Sequence, residues 1–292
     1  MRIVCLVGPT GVGKTKLSIS LAHYLNADIL NADSTQVYKD LNIATAKITE
    51  EEKEGIKHYL IDIKDVNEDY TVFDYQKDGR IVLDEHIKNN KNIIIVGGTG
   101  LYVKALLYDY QFNDLDNTNQ YDNLSDCEIY QKLLEVDPNT DIHPNNRKRV
   151  IKALNYYLTN QKPYSEKDKT SKLLYDVIFI GLTTKREILY ERINKRVDMM
   201  FDMGLEQEAY QLYKKNIKSK AIMTPIGYKE LFMYFDNKIT KSEAIDLIKQ
   251  RSRHYAKRQY TWFLNQMDVK WFDVDFLNFN NTINEVIDYI EK

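Results

Sequence analysis

The sequence predicts an α/β fold in which a parallel sheet is flanked by helices and carries a small helical insertion. Strand patterns alternate with helical patterns along most of the chain, the order typical of parallel sheets. The first strand pattern, Ile3–Val7, ends in a glycine-rich loop that opens a helix. Strand patterns stop between about residues 111 and 172. We therefore predict a core of residues 1–110 and 173–292 and a helical insertion domain of residues 111–172.

Five short runs predict the strands. The first is apolar throughout, as expected of a strand that is buried on both faces of a sheet. The five runs are Ile3–Val7, Asp28–Asn31, Ile93–Val96, residues 176–180 and residues 269–272.

Capping boxes, in which a threonine precedes an acidic residue by three positions, predict where three helices begin. These boxes start at Thr71, Thr184 and Thr240. The helix from Lys14 has a leucine at every fourth position instead, and the helix after the first box has Phe73, Ile81 and Ile87 among its apolar positions. Further helices are predicted at about residues 130–136, 147–158 and 283–290.

The composition excludes a generally basic nucleic-acid binder. The chain has 292 residues and a formal net charge of −2, so any surface for nucleic acid must be local. Its two cysteines, Cys5 and Cys127, are far apart and form no metal motif, and we expect Cys5 to be a core thiol. Sparse cysteines suit a reducing compartment, and no apolar run is long enough for a signal peptide or a membrane span. We therefore expect a cytoplasmic protein, acting as a monomer.

A phosphate-binding loop follows the first strand. Its residues fit the pattern G-x-x-x-x-G-K-[ST] and are Gly8, Pro9, Thr10, Gly11, Val12, Gly13, Lys14 and Thr15. In the P-loop NTPase fold, such a loop turns backbone N–H groups and a helix N-terminus toward phosphate oxygens. Lys14 adds a full positive charge, and the Thr15 hydroxyl is a candidate Mg²⁺ ligand. The alternative is a glycine-rich turn without a ligand.

An acidic residue expected of ordinary nucleotide hydrolases is missing. Such enzymes place an Asp directly after an apolar strand to hold Mg²⁺. Here Ile93–Val96 is followed by Gly97, Gly98, Thr99 and Gly100. The loop therefore predicts polyphosphate binding without favouring a kinase or an ATPase.

Three segments follow predicted strands at the carboxyl edge of the sheet, where ligands bind in open α/β folds. They are residues 10–15, 33–36 and 97–102. We expect them to converge on one pocket, which would bring the Asp33 carboxylate close to the bound phosphate groups. This position suits a general base or a Mg²⁺ ligand, and the alternative is a capping or turn residue.

A basic helical segment with interleaved aromatic residues is the third feature. Its cations are Lys249, Arg251, Arg253, Lys257 and Arg258. Its aromatic and imidazole rings are His254, Tyr255, Tyr260, Trp262 and Phe263. Cations of this kind bind phosphate backbones and rings stack on unpaired bases, although a solvated helix face has the same pattern. A second basic group, Arg192, Lys195 and Arg196, is placed to close over phosphate.

Seven ordered motifs carry a resemblance to a known family. They are Gly8-Pro9-Thr10-x-x-Gly13-Lys14-Thr15, Asn31-Ala32-Asp33-Ser34-x-Gln36-Val37-Tyr38, Gly97-Gly98-Thr99-Gly100-Leu101-Tyr102, His143-Pro144-Asn145, Arg196-Val197-Asp198-x-Met200, Ile226-Gly227-Tyr228-Lys229-Glu230 and Ala256-Lys257-Arg258-Gln259-x-Thr261-Trp262. On these motifs, which span nearly the whole chain, the sequence resembles the tRNA dimethylallyltransferases.

The resemblance implies transfer of a dimethylallyl group from dimethylallyl diphosphate to the exocyclic amine of the adenosine 3′ to the anticodon. It implies Asp33 as general base, Thr10 and Arg196 at the diphosphate and Thr99 near a flipped adenosine, while the P-loop with Lys14 and Mg²⁺ holds the leaving group. We expect contacts to tRNA from Asp33, Ser34, Thr35, Gln36, Thr99, Lys148, Arg149, Lys152, Arg253, Lys257 and Arg258.

The insertion departs from the family pattern, since residues 113–128 are short, acidic and lack Arg and Lys, and Lys152 stands where we expect Arg. Three alternatives stay open. An adenylate isopentenyltransferase acting on free nucleotides has similar motifs but no need of the basic helix. A P-loop kinase or NTPase would be expected to have an Asp directly after the third predicted strand, and none stands there. A non-catalytic RNA-binding protein would not need Lys14, Thr15 and Asp33.

Overall fold

The computed structural model describes residues 1–112, 119–166 and 172–292. The chain divides into two compact units, one formed by Met1–Leu107 with Leu174–Lys292 and the other by Tyr108–Leu173. This division falls within a few residues of the boundaries predicted at 111 and 172. The contacts to tRNA that were predicted for the insertion stay predictions. Part of its acidic segment, residues 113–118, lies outside the described residues.

The first unit contains a parallel sheet, and the predicted α/β class is confirmed. Its strands in the described ranges are β1 (Ile3–Val7), β2 (Asp28–Asn31), β3 (His58–Tyr59), β4 (Ile93–Val96), β5 (Ile178–Thr183) and β6 (Lys270–Asp273). Their order across the sheet is β3-β2-β4-β1-β5-β6, and every pair is parallel. All five residues of β1 are buried because β4 and β5 flank it and helices cover both faces. The two residues of β3 are too few to form a sequence pattern.

The helices are bounded as follows: α1 (Lys14–Leu25), α2 (Val72–Lys88), α3 (Gly100–Leu107), α4 (Asp126–Val136), α5 (Arg147–Asn160), α6 (Arg186–Asp202), α7 (Leu205–Lys214), α8 (Lys220–Met223), α9 (Tyr228–Phe235), α10 (Lys241–Gln266) and α11 (Phe279–Ile290). The capping boxes predicted at Thr71 and Thr240 are both present. The box predicted at Thr184 is wrong, because β5 continues to Thr183 and α6 begins after Lys185, which makes no side-chain cap.

The buried faces follow the predicted pattern in α1 and differ from it in α2. Leu17, Leu21 and Leu25 of α1 are buried against the sheet. The apolar positions predicted for α2, namely Phe73, Ile81 and Ile87, are all exposed. The helix instead buries Tyr75, Gln76, Gly79, Val82, Leu83 and His86. Gly79 is needed there because a Cβ would lie 2.8 Å from the Leu106 side chain, so α2 and α3 pack closely.

The second unit has a small core of its own. Helices α4 and α5 pack through a cluster that includes Ile129, Leu133, Val150 and Leu154. Both helices begin with side-chain caps, from Ser125 and Asn146 respectively. In the first unit, Cys5 is fully buried, as predicted for a core thiol. No helix among the described residues combines the length and apolarity required to cross a membrane.

Candidate active site

A cavity of about 390 Å³ opens at the carboxyl ends of β1, β2 and β4 in the first unit. The three segments predicted to converge do so at this edge of the sheet. Thr10 and Lys14 follow β1, and Gly97 and Gly98 follow β4. The segment after β2 contributes Asp33, Ser34, Thr35 and Gln36. A phosphate-binding loop and a carboxylate therefore line one cavity.

The P-loop is held in shape by glycine and by its own lysine. Gly8 has φ +139, and a Cβ there would lie 2.7 Å from the Leu182 carbonyl oxygen. The Lys14 Nζ donates to the carbonyl oxygens of Gly8 at 2.9 Å and Pro9 at 2.8 Å. Desolvation lowers the pKa of Lys14 to about 7, with a further lowering from the charge of Arg196 and an opposing effect of Asp33. A negative ligand in the loop would restore the charge of this amine.

A second cation faces the loop from α6. The Arg196 Nη1 donates to the Thr10 Oγ1 at 3.1 Å. The pKa of this guanidinium is lowered, chiefly by burial, whereas the carboxylates of Asp33 and Glu52 act in the opposite direction. Arg192, one turn earlier, donates through Nε to the Gly11 carbonyl oxygen at 3.1 Å. The basic group predicted to close over phosphate thus lies against the P-loop through two of its members.

Asp33 is held in a tight turn at the end of β2. Its Oδ1 accepts hydrogen bonds from the Thr35 backbone N–H at 2.9 Å and from the Thr35 Oγ1 at 2.6 Å. The Asn31 side chain accepts from the Asp33 N–H at 3.2 Å. The turn role considered as the alternative is therefore present, and it fixes the carboxylate in the cavity wall. Asp33 as general base stays a prediction.

Thr99 joins the loops that follow β2 and β4. Its Oγ1 accepts from the Ser34 N–H at 3.1 Å and donates to the Ser34 Oγ at 3.3 Å. Gly97 allows this approach because a Cβ would lie 2.1 Å from the Ala32 carbonyl oxygen. Thr99 therefore contacts the segment that carries Asp33, although it is not itself a residue of the cavity wall.

Gln259 of α10 is a site residue to which the sequence alone assigned no role. Its Oε1 accepts from the Thr10 N–H at 2.9 Å, and its Nε2 donates to the Gly98 carbonyl oxygen at 3.0 Å. Both partners are far from it in sequence, so no local pattern marks this position. The only available signal was its place within one of the seven motifs.

The remaining predicted cations do not converge on the cavity, except for Arg258, which lines it. Lys249 pairs with Asp198 at 2.6 Å, Arg251 pairs with Glu230, and Arg253 donates to the Asn194 Oδ1 at 2.6 Å. The exposed Lys257 lines a separate cleft of about 240 Å³ beside Pro9. Part of the predicted basic face is thus engaged in ion pairs and hydrogen bonds within the protein. In the second unit, the side chains of Lys148, Arg149 and Lys152 are exposed on α5.

The donor groups near the P-loop fit a metal ion whose ligands are mostly phosphate oxygens of a bound diphosphate. Thr15 is exposed in the first turn of α1, and Asp33 provides a carboxylate in the cavity wall. Within residues 1–112, 119–166 and 172–292, no group of three His, Cys, Asp or Glu side chains is arranged to hold a metal. Mg²⁺ commonly takes few protein ligands and several phosphate oxygens, so Thr15 with a diphosphate suits it.

Comparison with known proteins decides the family. A family model described as IPP transferase matches residues 36–266. The chain belongs to the IPP transferase family. It is 49% identical to the tRNA dimethylallyltransferase of Anoxybacillus flavithermus, over 99% of this chain and 96% of the relative. It is 47% identical to the tRNA dimethylallyltransferase of Bacillus subtilis, over 93% of this chain and 90% of the relative. The resemblance drawn from the seven motifs is confirmed.

Solved structures agree with this assignment to the IPP transferases. The tRNA isopentenylpyrophosphate transferase of Bacillus halodurans matches with a TM-score of 0.77 and 40% identity, over 99% of this chain and 95% of that chain. A eukaryotic dimethylallyltransferase acting on tRNA matches with a TM-score of 0.83 and 29% identity, over 100% of this chain and 80% of that chain. The IPP transferase fold thus extends over both units.

Proposed function

We propose that this chain is a tRNA dimethylallyltransferase. It transfers a dimethylallyl group from dimethylallyl diphosphate to N6 of the adenosine 3′ to the anticodon, position 37, to form N6-dimethylallyladenosine. The observation that carries this proposal is the meeting of Lys14 and Arg196 with Asp33 around one cavity. Two cations suit a diphosphate leaving group, and a carboxylate suits an amine that must lose a proton. The names of the relatives support the same reaction.

The proposed step is a substitution at an allylic carbon. The N6 lone pair forms a bond to C1 of the dimethylallyl group while the bond from C1 to the diphosphate oxygen breaks. The electron pair of that bond goes to diphosphate, and the N6 proton goes to the Asp33 carboxylate. Lys14, Arg196 and the P-loop N–H groups stabilise the charge that develops on the diphosphate. Arg196 already donates to Thr10 of the P-loop, and Lys14 already lies in the cavity wall, which supports their role at the diphosphate.

We propose Mg²⁺ as the cofactor, with Thr15 as its ligand from the protein. The ion would neutralise charge on the diphosphate as the allylic bond breaks. The place of Thr15 directly after Lys14 in the loop pattern supports this assignment, because a Ser or Thr hydroxyl at that position is a typical Mg²⁺ ligand, and the side chain is exposed. We propose that the enzyme acts in the cytoplasm, in keeping with a tRNA substrate, and as a monomer.

The acceptor must leave its base stack to reach the cavity, so the proposal includes a flipped adenosine. Thr99 and the segment 33–36 lie where such a base would meet Asp33. We propose that the RNA backbone is held by exposed cations, which are Lys148, Arg149, Lys152, Lys257 and the cavity-lining Arg258, together with the half-buried Arg253. Phosphate contacts of this kind fix the register of the RNA without reading its sequence.

One assay tests the proposal against its main alternatives. Purified protein is given dimethylallyl diphosphate and Mg²⁺ with either an unmodified anticodon stem-loop or AMP, and mass spectrometry follows the acceptor. We expect the RNA to gain one dimethylallyl group with a kcat/KM far above that for AMP. A preference for AMP would assign the chain to the adenylate isopentenyltransferases. ATP consumption without prenyl transfer would assign it to the kinases or NTPases.

A further inference from the structure

Gln259 bridges two loops of the cavity with both ends of one amide. The side chain is buried, with 5% of its surface exposed. Its oxygen accepts from the Thr10 N–H, and its nitrogen donates to the Gly98 carbonyl oxygen. A donor stands on one side and an acceptor on the other, so a flipped amide would lose both bonds. The orientation of Gln259 is therefore determined by its partners.

The two loops belong to different halves of the site. Thr10 accepts a hydrogen bond from Arg196, so the P-loop end of the bridge lies among the groups that face the diphosphate. Gly98 precedes Thr99, which holds Ser34 next to Asp33. One side chain thus links the proposed leaving-group side to the proposed acceptor side.

The bridge has almost no room to move. A Cβ at Gly98 would lie 2.0 Å from the Gln259 Nε2, so any larger residue there displaces the amide. The next glycine, Gly100, has the ring of Trp262 equally close, with a Cβ distance of 2.1 Å. Helix α10 is therefore packed against the Gly98–Gly100 loop through Gln259 and Trp262, and Tyr255 of the same helix hydrogen-bonds with Thr99 and with Gln259. Gln259 also reaches the P-loop at Thr10.

We propose that Gln259 is a positioning residue that sets the separation between the donor loop and the acceptor loop. This inference rests on the proposed function. It gives Gln259 a role that does not require contact with either substrate. Substitution at C1 needs the attacking nitrogen about 3–3.5 Å from the carbon, and a displacement of about 1 Å can lower the rate about a hundredfold. A residue that fixes this distance acts on turnover more than on the binding of either substrate alone.

The test replaces Gln259 by methionine, which has a similar length and no charge but makes neither hydrogen bond. The assay measures kcat and KM for both substrates, and the dissociation constants of dimethylallyl diphosphate and of the stem-loop separately. For Gln259→Met we expect kcat to fall at least about tenfold while each dissociation constant changes by less than about threefold. Gln266→Met is the matched control, because Gln266 ends the same helix outside the cavity and bonds only to Lys104 in the described structure.

A second pair of variants keeps the test valid if Gln259→Met folds poorly. Gly98→Ala should lower kcat because its Cβ would displace the amide. In a Gln259→Ala background the same change should have little further effect, since the space is then free. A double-mutant cycle on kcat should therefore be strongly non-additive. Melting temperatures of all variants separate a loss of fold from a loss of positioning.

The outcomes separate this inference from the function on which it rests. Wild-type protein that transfers no dimethylallyl group would remove the proposed function itself. An active wild type with an unchanged kcat in Gln259→Met would overturn the positioning role. The positioning role would also be overturned if the dissociation constant of one substrate rose and kcat/KM fell by the same factor while kcat stayed constant. Gln259 would then shape only one half of the site. Additive effects in the cycle would contradict the bridge.

Discussion

Lys14 is the residue whose charge depends most on what the cavity holds. Its pKa is lowered from 10.5 to about 7, mainly by desolvation, so much of the amine is neutral above pH 7 in the free protein. A bound diphosphate favours the charged form and raises this pKa. Binding above pH 7 should therefore take up a proton at Lys14, whereas well below pH 7 the amine is already charged and no uptake occurs.

Calorimetry at pH 8 in buffers of different ionisation enthalpy measures this uptake. The matched variant is Lys14→Arg, whose guanidinium is charged throughout the range. Wild type should take up more protons than Lys14→Arg on binding dimethylallyl diphosphate, and the difference should vanish at acid pH. Equal uptake at pH 8 would mean that the charge of Lys14 does not change when the ligand binds.

Asp33 should matter for turnover rather than for binding. In Asp33→Asn the amide keeps an oxygen to accept from Thr35 but does not take the proton from the attacking amine. We expect kcat for transfer to fall about 10²–10⁴-fold, the usual contribution of a general base, with RNA affinity nearly unchanged. Steady-state kinetics and a filter-binding assay measure the two effects. Wild-type turnover in Asp33→Asn would exclude the base role, and Thr35→Val serves as a milder control that keeps the carboxylate.

At the scale of elements, α7 anchors a loop that forms part of the wall of the cavity. The Glu208 carboxylate accepts from the backbone N–H groups of Asn42, Ile43 and Ala44 at 2.9–3.2 Å, and from the Tyr228 hydroxyl at 2.7 Å. Ala44 and the residues after it line the cavity. The loop has no strand or helix of its own, and besides this carboxylate it is held by Gln36, whose Nε2 donates to the Thr45 carbonyl oxygen at 3.1 Å. Glu208 is therefore a main anchor of the loop, because it accepts from three consecutive backbone N–H groups.

Glu208→Ala should destabilise the protein by about 2–4 kcal/mol, because several half-buried donors lose their acceptor. Glu206→Ala on the same helix is the control, since it removes only a surface pair with Lys241 at 2.5 Å and should cost no more than about 1 kcal/mol. Urea denaturation gives both free energies of unfolding. Similar values for the two variants would show that the loop finds its position without Glu208.

Helix α10 carries the predicted RNA contacts outside the cavity. Reversing the charge of the exposed Lys257 or of the half-buried Arg253, one at a time, should weaken binding of the stem-loop and reduce its salt dependence. Each lost phosphate contact should lower the slope of log K against log salt by about 1. Lys88→Glu at the end of α2 is the control for each single reversal, because it changes the net charge by the same amount. If the slope is the same in the variant and in the wild type, this face of α10 is only solvated.

At the scale of the whole molecule, the second unit leaves and rejoins the chain through a short antiparallel stem. Tyr108 bridges to Leu173, and the Asp109 N–H donates to the Lys172 carbonyl oxygen at 3.0 Å. The Leu174 N–H donates to the Leu107 carbonyl oxygen at 2.9 Å. The ends of the first unit are thus already adjacent, and the core cluster that α1 forms with the sheet includes none of the residues between them.

Replacing residues 110–171 by an Asn-Gly turn between Asp109 and Lys172 should leave the first unit folded. The shortened protein should bind dimethylallyl diphosphate as the full chain does, but it should bind the stem-loop more weakly because Lys148, Arg149 and Lys152 are removed. Circular dichroism, calorimetry and RNA titration measure the three properties. Undiminished RNA affinity would mean that the second unit contributes no contacts.

The features that could be predicted from the sequence are those that depend on residues close together in the chain. The apolar run of β1, the glycines and lysine after it, and the boxes at Thr71 and Thr240 all act within a few residues. They determined the fold class, the position of the P-loop and the family. The prediction failed where local rules compete, as at Thr184, which a longer β5 displaces from the start of α6.

Tertiary structure alone decided which distant groups meet at the cavity. Gln259 reaches Thr10 across 249 positions and Gly98 across 161, and Glu208 reaches Ala44 across 164. Contacts between residues so far apart produce no periodic pattern in the sequence. Gln259 and Glu208 therefore cannot be told from ordinary polar residues of a helix. The sequence by itself determined the local chemistry of phosphate binding. The packing of α7 and α10 against the loops decided how that chemistry is arranged, since only folding brings those backbones within hydrogen-bonding distance.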